Sequence, residues 1–139
     1  MFDSPEAVED AYYDALEAGD YDAVMAAWAD GDDIACALPM APFAVGRSSV
    51  ESVWREILSN LGPIDLQTHH VQWIRLGDTA IHLVEESATA SAPGQPAPQP
   101  VYATNVYQRG DAGWRMVLHQ NSPTPPPAGA GPGAASPVI

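Results

Sequence analysis

The chain has 139 residues, 46% of them hydrophobic and 17% charged, and a formal net charge of −13. It contains no lysine, so five arginines oppose 18 carboxylates, a balance that repels phosphate backbones and anionic lipid and argues against nucleic acid and membrane as partners. The length allows one domain of about 120 residues with a modest core, and no apolar run approaches the roughly 18 residues of a membrane span.

The acids crowd the front of the chain, from Asp3 to Asp33, ahead of the first arginine, Arg47. They read as a solvated helical face that keeps the protein soluble. Met1-Phe2-Asp3-Ser4 lacks the basic and apolar regions of a secretory leader, so the expected location is cytoplasmic. The single cysteine, Cys36, lies in the apolar run Ile34–Leu38. It reads as a buried core thiol rather than a nucleophile.

Ser4 and Pro5 open a first helix, and Val8, Ala11, Tyr12, Ala15 and Leu16 give it one apolar stripe before Gly19 stops it. Asp20 caps a short second helix carrying Val24, Met25 and Trp28, which Gly31 ends. Asp33 to Leu38 reads as a strand closed by Pro39, and Met40 to Val45 as a loop. Ser48 and Glu51 have the spacing of a capping box for a third helix. Its stripe is Val50, Val53, Trp54, Ile57, Leu58 and Leu61, and Gly62-Pro63 ends it.

The period then changes to two. Leu66 to Leu76 and Thr79 to Ala90 flank Gly77-Asp78, which suits a two-residue hairpin turn. That turn predicts Trp73 opposite His82, Val71 opposite Val84 and His69 opposite Glu86. Ile74, Ile81, Leu83 and His70 then share the other face. Both faces are apolar, so the sheet needs cover on both sides, from helices, its own curvature or a second copy. Ala92 to Pro100 is a loop rich in proline and glycine. Tyr102–Tyr107 and Gly113–Pro123 form a final hairpin. The expected domain spans residues 1–123, followed by a disordered or polyproline-like tail at 124–139.

Several short motifs recur in a telling order. Ala11-Tyr12-Tyr13-Asp14-Ala15-Leu16 with Gly19-Asp20 is followed by Trp28-Ala29-Asp30, Pro39, Gly46 and Trp54. Gly77-Asp78-Thr79-Ala80 marks the hairpin, and Ala103-Thr104-Asn105-Val106-Tyr107, Trp114-Arg115-Met116-Val117, His119 and Ser122-Pro123 close the domain. This set resembles the NTF2-like superfamily, and within it the SnoaL-like branch. The resemblance implies an α+β cone-shaped barrel, with three N-terminal helices packed against a strongly curved, mainly antiparallel sheet around a pocket. It also implies a homodimer formed through the sheet. It does not imply one activity, because the fold hosts isomerases, cyclases, dehydratases, hydrolases and binding modules. Two positions depart from relatives. Leu38 stands where ketosteroid isomerase relatives carry an aspartate base, and Gln120 follows His119 where many SnoaL-like relatives have a second histidine.

Of the four histidines, His119 is the strongest candidate for the pocket, since imidazole exchanges protons near neutral pH. Tyr13 and Asn105 could polarise a ligand carbonyl beside it. One of Glu85 and Glu86 should face inward, as a base or as a hydrogen-bonded or arginine-paired group. Trp28, Trp54, Trp73 and Trp114 are a heavy aromatic load, mostly core, with some walling a pocket. Trp28, Trp54, His82, Asn105 and His119 form the expected ligand-binding set, and His119 and Tyr13 the catalytic one. Nothing in the histidine spacing demands a metal, and no cofactor fingerprint is present. Three functions follow. The leading one is non-catalytic binding of a small apolar or aromatic molecule. The second is an isomerase, cyclase or dehydratase with His119 as general base. The third is a dimeric interaction module whose pocket is vestigial.

Overall fold

The computed structural model describes residues 1–89 and 93–126. Helix α1 (Pro5–Ala18) starts as its capping residues require: the Ser4 hydroxyl accepts from the Ala7 N–H at 3.1 Å. Gly19 takes a left-handed φ of 66° and lets the Asp20 N–H return to the Ala15 carbonyl at 2.9 Å, which ends the helix. Helix α2 (Tyr21–Ala27) is capped by the Asp20 carboxylate. It ends at Trp28 rather than Gly31, because the Trp28 backbone turns extended and pairs with Met116. The Arg47 guanidinium donates to the Met25, Trp28 and Ala29 carbonyls and satisfies the end of this helix.

Strands β1 (Ala35–Ala37) and β2 (Ala44–Val45) are short. The first is briefer than Asp33–Leu38, and the second falls in the segment expected to be a loop. Helix α3 (Arg47–Leu61) begins at Gly46 with no side-chain cap. The Ser48–Glu51 capping box does not form, because the helix already begins at Arg47 and places Ser48 inside its first turn, and Glu51 accepts from Arg47.

The long strands are β3 (Leu66–Leu76), β4 (Thr79–Ala88), β5 (Val101–Gly110) and β6 (Gly113–Pro123). The sheet order is β2-β1-β6-β5-β4-β3. Only β1 and β6 run parallel, so the sheet is mixed but mainly antiparallel, and it wraps the helices without closing. Part of the expected loop at Ala92 to Pro100 and most of the expected 124–139 tail lie outside the described residues.

Two bulges set which side chains face the helices. On β3 an extra residue, Val71, lies between the pairs His70–Val84 and Gln72–Leu83. Trp73 does sit opposite His82, but the expected pairs Val71–Val84 and His69–Glu86 do not occur. His70 therefore shares the inner face with His82, and His69 pairs with Glu85. On β6 the extra residue is Val117, between Val106–Leu118 and Tyr107–Met116. It lets Trp114 and Met116, then His119 and Asn121, all face inward. Against that face pack Val8, Tyr12 and Leu16 of α1, Val24 of α2 and Trp28 just beyond it, and Val50 and Trp54 of α3.

Gly113 begins β6 with φ 87°, and an added Cβ would stand 2.6 Å from the Phe2 carbonyl oxygen. The same oxygen accepts from the Trp114 N–H at 2.9 Å, so it cannot retreat freely. Gly113→Ala is expected to destabilise the fold by about 2 kcal/mol, read as a lower urea midpoint at unchanged slope.

Candidate functional site

A cavity of about 590 Å³ opens between α1, α3 and the splayed ends of the sheet strands. Leu16 of α1, Leu38 after β1, Val53, Trp54 and Ile57 of α3, and Leu66 of β3 give it apolar walls. Its polar floor is Glu86 of β4 with His119 and Asn121 of β6.

These three belong to a closed ring of hydrogen bonds. Tyr13 donates to Glu86 Oε2 at 2.7 Å, and Asn105 Nδ2 donates to the Tyr13 oxygen at 2.9 Å. His119 Nδ1 lies 2.6 Å from Asn105 Oδ1, and His119 Nε2 lies 3.1 Å from Asn121 Oδ1. Asn121 Nδ2 completes the circuit to Glu86 Oε1 at 2.8 Å and also donates to the Tyr102 carbonyl. His119 Nε2 and Glu86 Oε2 are 4.0 Å apart across the ring. Burial lowers the affinity of the His119 imidazole for a proton, while the Glu86 charge and the Asn121 contact oppose that shift. Burial, then the Glu86 charge, pushes the Tyr13 phenol well above the usual range, so Tyr13 remains a donor.

A second network lies along α1, away from the cavity floor. Glu9 accepts from Tyr107 at 2.6 Å and contacts His82 Nδ1 at 2.6 Å. His82 Nε2 meets His70 Nδ1 at 2.8 Å, and Trp73 stacks on the His82 ring at 4.0 Å. Among the described residues, no three His, Cys, Asp or Glu side chains are grouped to hold a metal ion.

The expected site residues thus fall in different places. Trp54 and His119 line the cavity. Tyr13 and Asn105 stand one hydrogen bond behind its floor. His82 belongs to the Glu9 network, and Trp28 is buried in the core, its Nε1 without a partner among the described residues. Tyr12 and Trp54, both in the cavity wall, likewise have a buried donor without an acceptor among the described residues. Glu86 is the inward member of the Glu85–Glu86 pair, and it bonds tyrosine and asparagine rather than arginine. Asn121 and Glu9 are functional neighbours that the sequence reading does not single out. Asn121 was legible as the residue two beyond His119 on one strand face. Glu9 was legible as an acid three and four residues before Tyr12 and Tyr13 on one helix face.

Residues 6–126 match the SnoaL-like domain family. Among solved structures, a candidate calcium/calmodulin-dependent protein kinase type II association domain from Thiobacillus denitrificans is 42% identical. That similarity covers 89% of this chain and 98% of the other, with a TM-score of 0.82. A candidate dehydratase of the NTF2-like family from Streptomyces avermitilis is 27% identical, covering 86% and 93% of the two chains, with a TM-score of 0.73. A ketosteroid isomerase-like protein from Erwinia carotovora, 23% identical over 87% and 94% with a TM-score of 0.66, shares the fold. No curated protein matches the chain.

Two outcomes follow from the ring and its surroundings. Tyr13→Phe removes one hydroxyl but strips a partner from both Glu86 and Asn105, so a loss of about 1–3 kcal/mol in thermal or urea unfolding is expected. Burial, followed by the Glu86 charge, pushes the Cys36 thiol up to about 12, which leaves almost no thiolate at pH 8. Iodoacetamide should therefore spare Cys36 in the native protein and label it once urea unfolds the chain, as followed by intact mass.

Proposed function

We propose that this chain, which belongs to the SnoaL-like domain family of NTF2-like proteins, binds a small, mostly apolar or aromatic molecule in its cone-shaped cavity. The observation that carries this reading is an apolar chamber ending in a hydrogen-bonding floor. Its volume of about 590 Å³ falls within the roughly 300–1,000 Å³ of small-molecule sites. Leu38 supports binding over the isomerase-like mechanism, because it lines the wall where an aspartate base would be needed and can take no proton. Gln120 lies off the inner face, paired with Ala37 and Thr104, so no second histidine backs His119.

A proton-transfer enzyme is the second reading. Its support is the Glu86–His119 floor and the 27% identity to a candidate dehydratase. In that case Glu86 joins His119 as an acid–base group, with Tyr13 and Asn105 positioning them. Self-association is compatible with either function. The 42% identical relative is described as an association domain, and Val71, Ile74 and Leu76 leave apolar surface on the exposed edge strand β3.

Native mass spectrometry of freshly purified protein is the first test. A dimer carrying extra mass that heat releases is the expected result. Ile57→Trp, which puts bulk into the cavity wall, should remove that mass while preserving the dimer. A retained mass that survives this substitution places the ligand elsewhere and defeats the pocket reading. A clean monomer counts against self-association.

A further inference from the structure

We infer that Glu86 and His119 hold one proton between them, so that the cavity floor is uncharged overall and suits an uncharged ligand bearing a carbonyl or hydroxyl oxygen. The proton count rests on the hydrogen bonds of the ring alone. The ligand preference rests in addition on the pocket reading above.

The count follows from donors and acceptors. If Glu86 is ionised, it only accepts, so Tyr13 and Asn121 must both donate to it at 2.7 and 2.8 Å. The Tyr13 oxygen must then accept from the Asn105 amide nitrogen. Asn105 and Asn121 are left presenting their amide oxygens to the two nitrogens of His119, at 2.6 and 3.1 Å. Both ring nitrogens need protons to meet them, so an ionised Glu86 requires an imidazolium. If His119 is neutral, one nitrogen must accept, and the neighbouring amide must turn over. That reversal runs around the ring to Glu86, which must then donate and so carry the proton itself. The two states differ by one proton moved from His119 to Glu86 with one amide inverted, and the total is the same in both. Neutral His119 beside ionised Glu86 leaves a nitrogen lone pair facing an oxygen lone pair somewhere in the ring.

The surroundings agree with a neutral pair. All five arginines are engaged elsewhere, with Glu51 and Asp30, Tyr21, Glu6, Asp78 and the Trp114 carbonyl. No fixed cation therefore balances Glu86, which is buried. The other titratable groups near the pair are Glu9, Tyr12 and Tyr13 of α1, Cys36 of β1, Tyr107 of β5 and Glu56 in the cavity wall on α3. None of these can supply a positive charge, and the nearest further imidazole, His82 of β4, is committed to Glu9. A ligand carboxylate or phosphate on this floor would place a second negative charge beside Glu86 and toward Glu56, with no arginine to neutralise it.

The test uses the full chain without ligand. Nitrogen-15 spectra of the His119 ring and carbon-13 spectra of the Glu86 carboxyl count the protons directly at pH 7. The expected sum is one, either on a cationic His119 with ionised Glu86 or on Glu86 with neutral His119. A sum of zero or two overturns the inference. Glu86→Gln should leave His119 neutral, and a cationic His119 in that variant also overturns it. If the variant does not fold, the wild-type spectra decide alone. For the ligand, fluorescence titration compares 1-pyrenemethanol with 1-pyrenecarboxylate. The alcohol should bind at least about tenfold more tightly, and equal or tighter binding of the carboxylate overturns the preference. If neither binds, the pocket reading and the preference fail together, whereas the proton count still stands or falls on the spectra.

Discussion

Two buried carboxylates govern the interior of this domain. Glu9 enters from α1 and Glu86 from β4, and an acid taken out of water must be hydrogen-bonded or neutralised. Tyr107 and His82 turn toward Glu9, while Tyr13 and Asn121 turn toward Glu86. Asn105 and His119 then complete the second set. Most of the polar side chains buried between helix and sheet are committed to these two acids.

Backbone irregularities make that arrangement available. A strand without a bulge alternates strictly, and β6 would then present either Trp114 and Met116 or His119 and Asn121 to the helices, not both. Val117 resets the phase between the pairs. The inner face therefore carries packing residues near the β5–β6 turn and hydrogen-bonding residues toward the cavity. Val71 makes the corresponding change on β3 and brings His70 to His82. The cavity floor thus depends on one single-residue insertion in β6, and the Glu9 network on another in β3.

Much of the fold was legible because it rests on local rules. Ser4, Pro5 and Gly19 delimit α1 through backbone capping, Gly62 closes α3, and Gly77-Asp78 joins β3 to β4 at the expected residues. Trp54 reaches the cavity because it follows the stripe of α3, whereas His119 shares the inner face with Trp114 only through the Val117 bulge. The readings that changed depended on competing partners. Glu51 was free to cap α3 in sequence, yet Arg47 engages it. Trp28 looked like a helical residue, yet its backbone is drawn to Met116. Val71 matched Val84 by counting from the turn, a count that a bulge invalidates.

The sequence by itself determined the three helices, the long strands and their order, the family and the inward direction of one glutamate, because caps, turns and periodicity act over a few residues. Only the tertiary structure decided which side chains meet. Tyr13 and Glu86 are 73 residues apart, and Asn105 and Tyr13 are 92 apart. Such contacts depend on strand register and on how the sheet curves around α1. A bulge changes the register by one residue, and one residue exchanges the two faces of a strand.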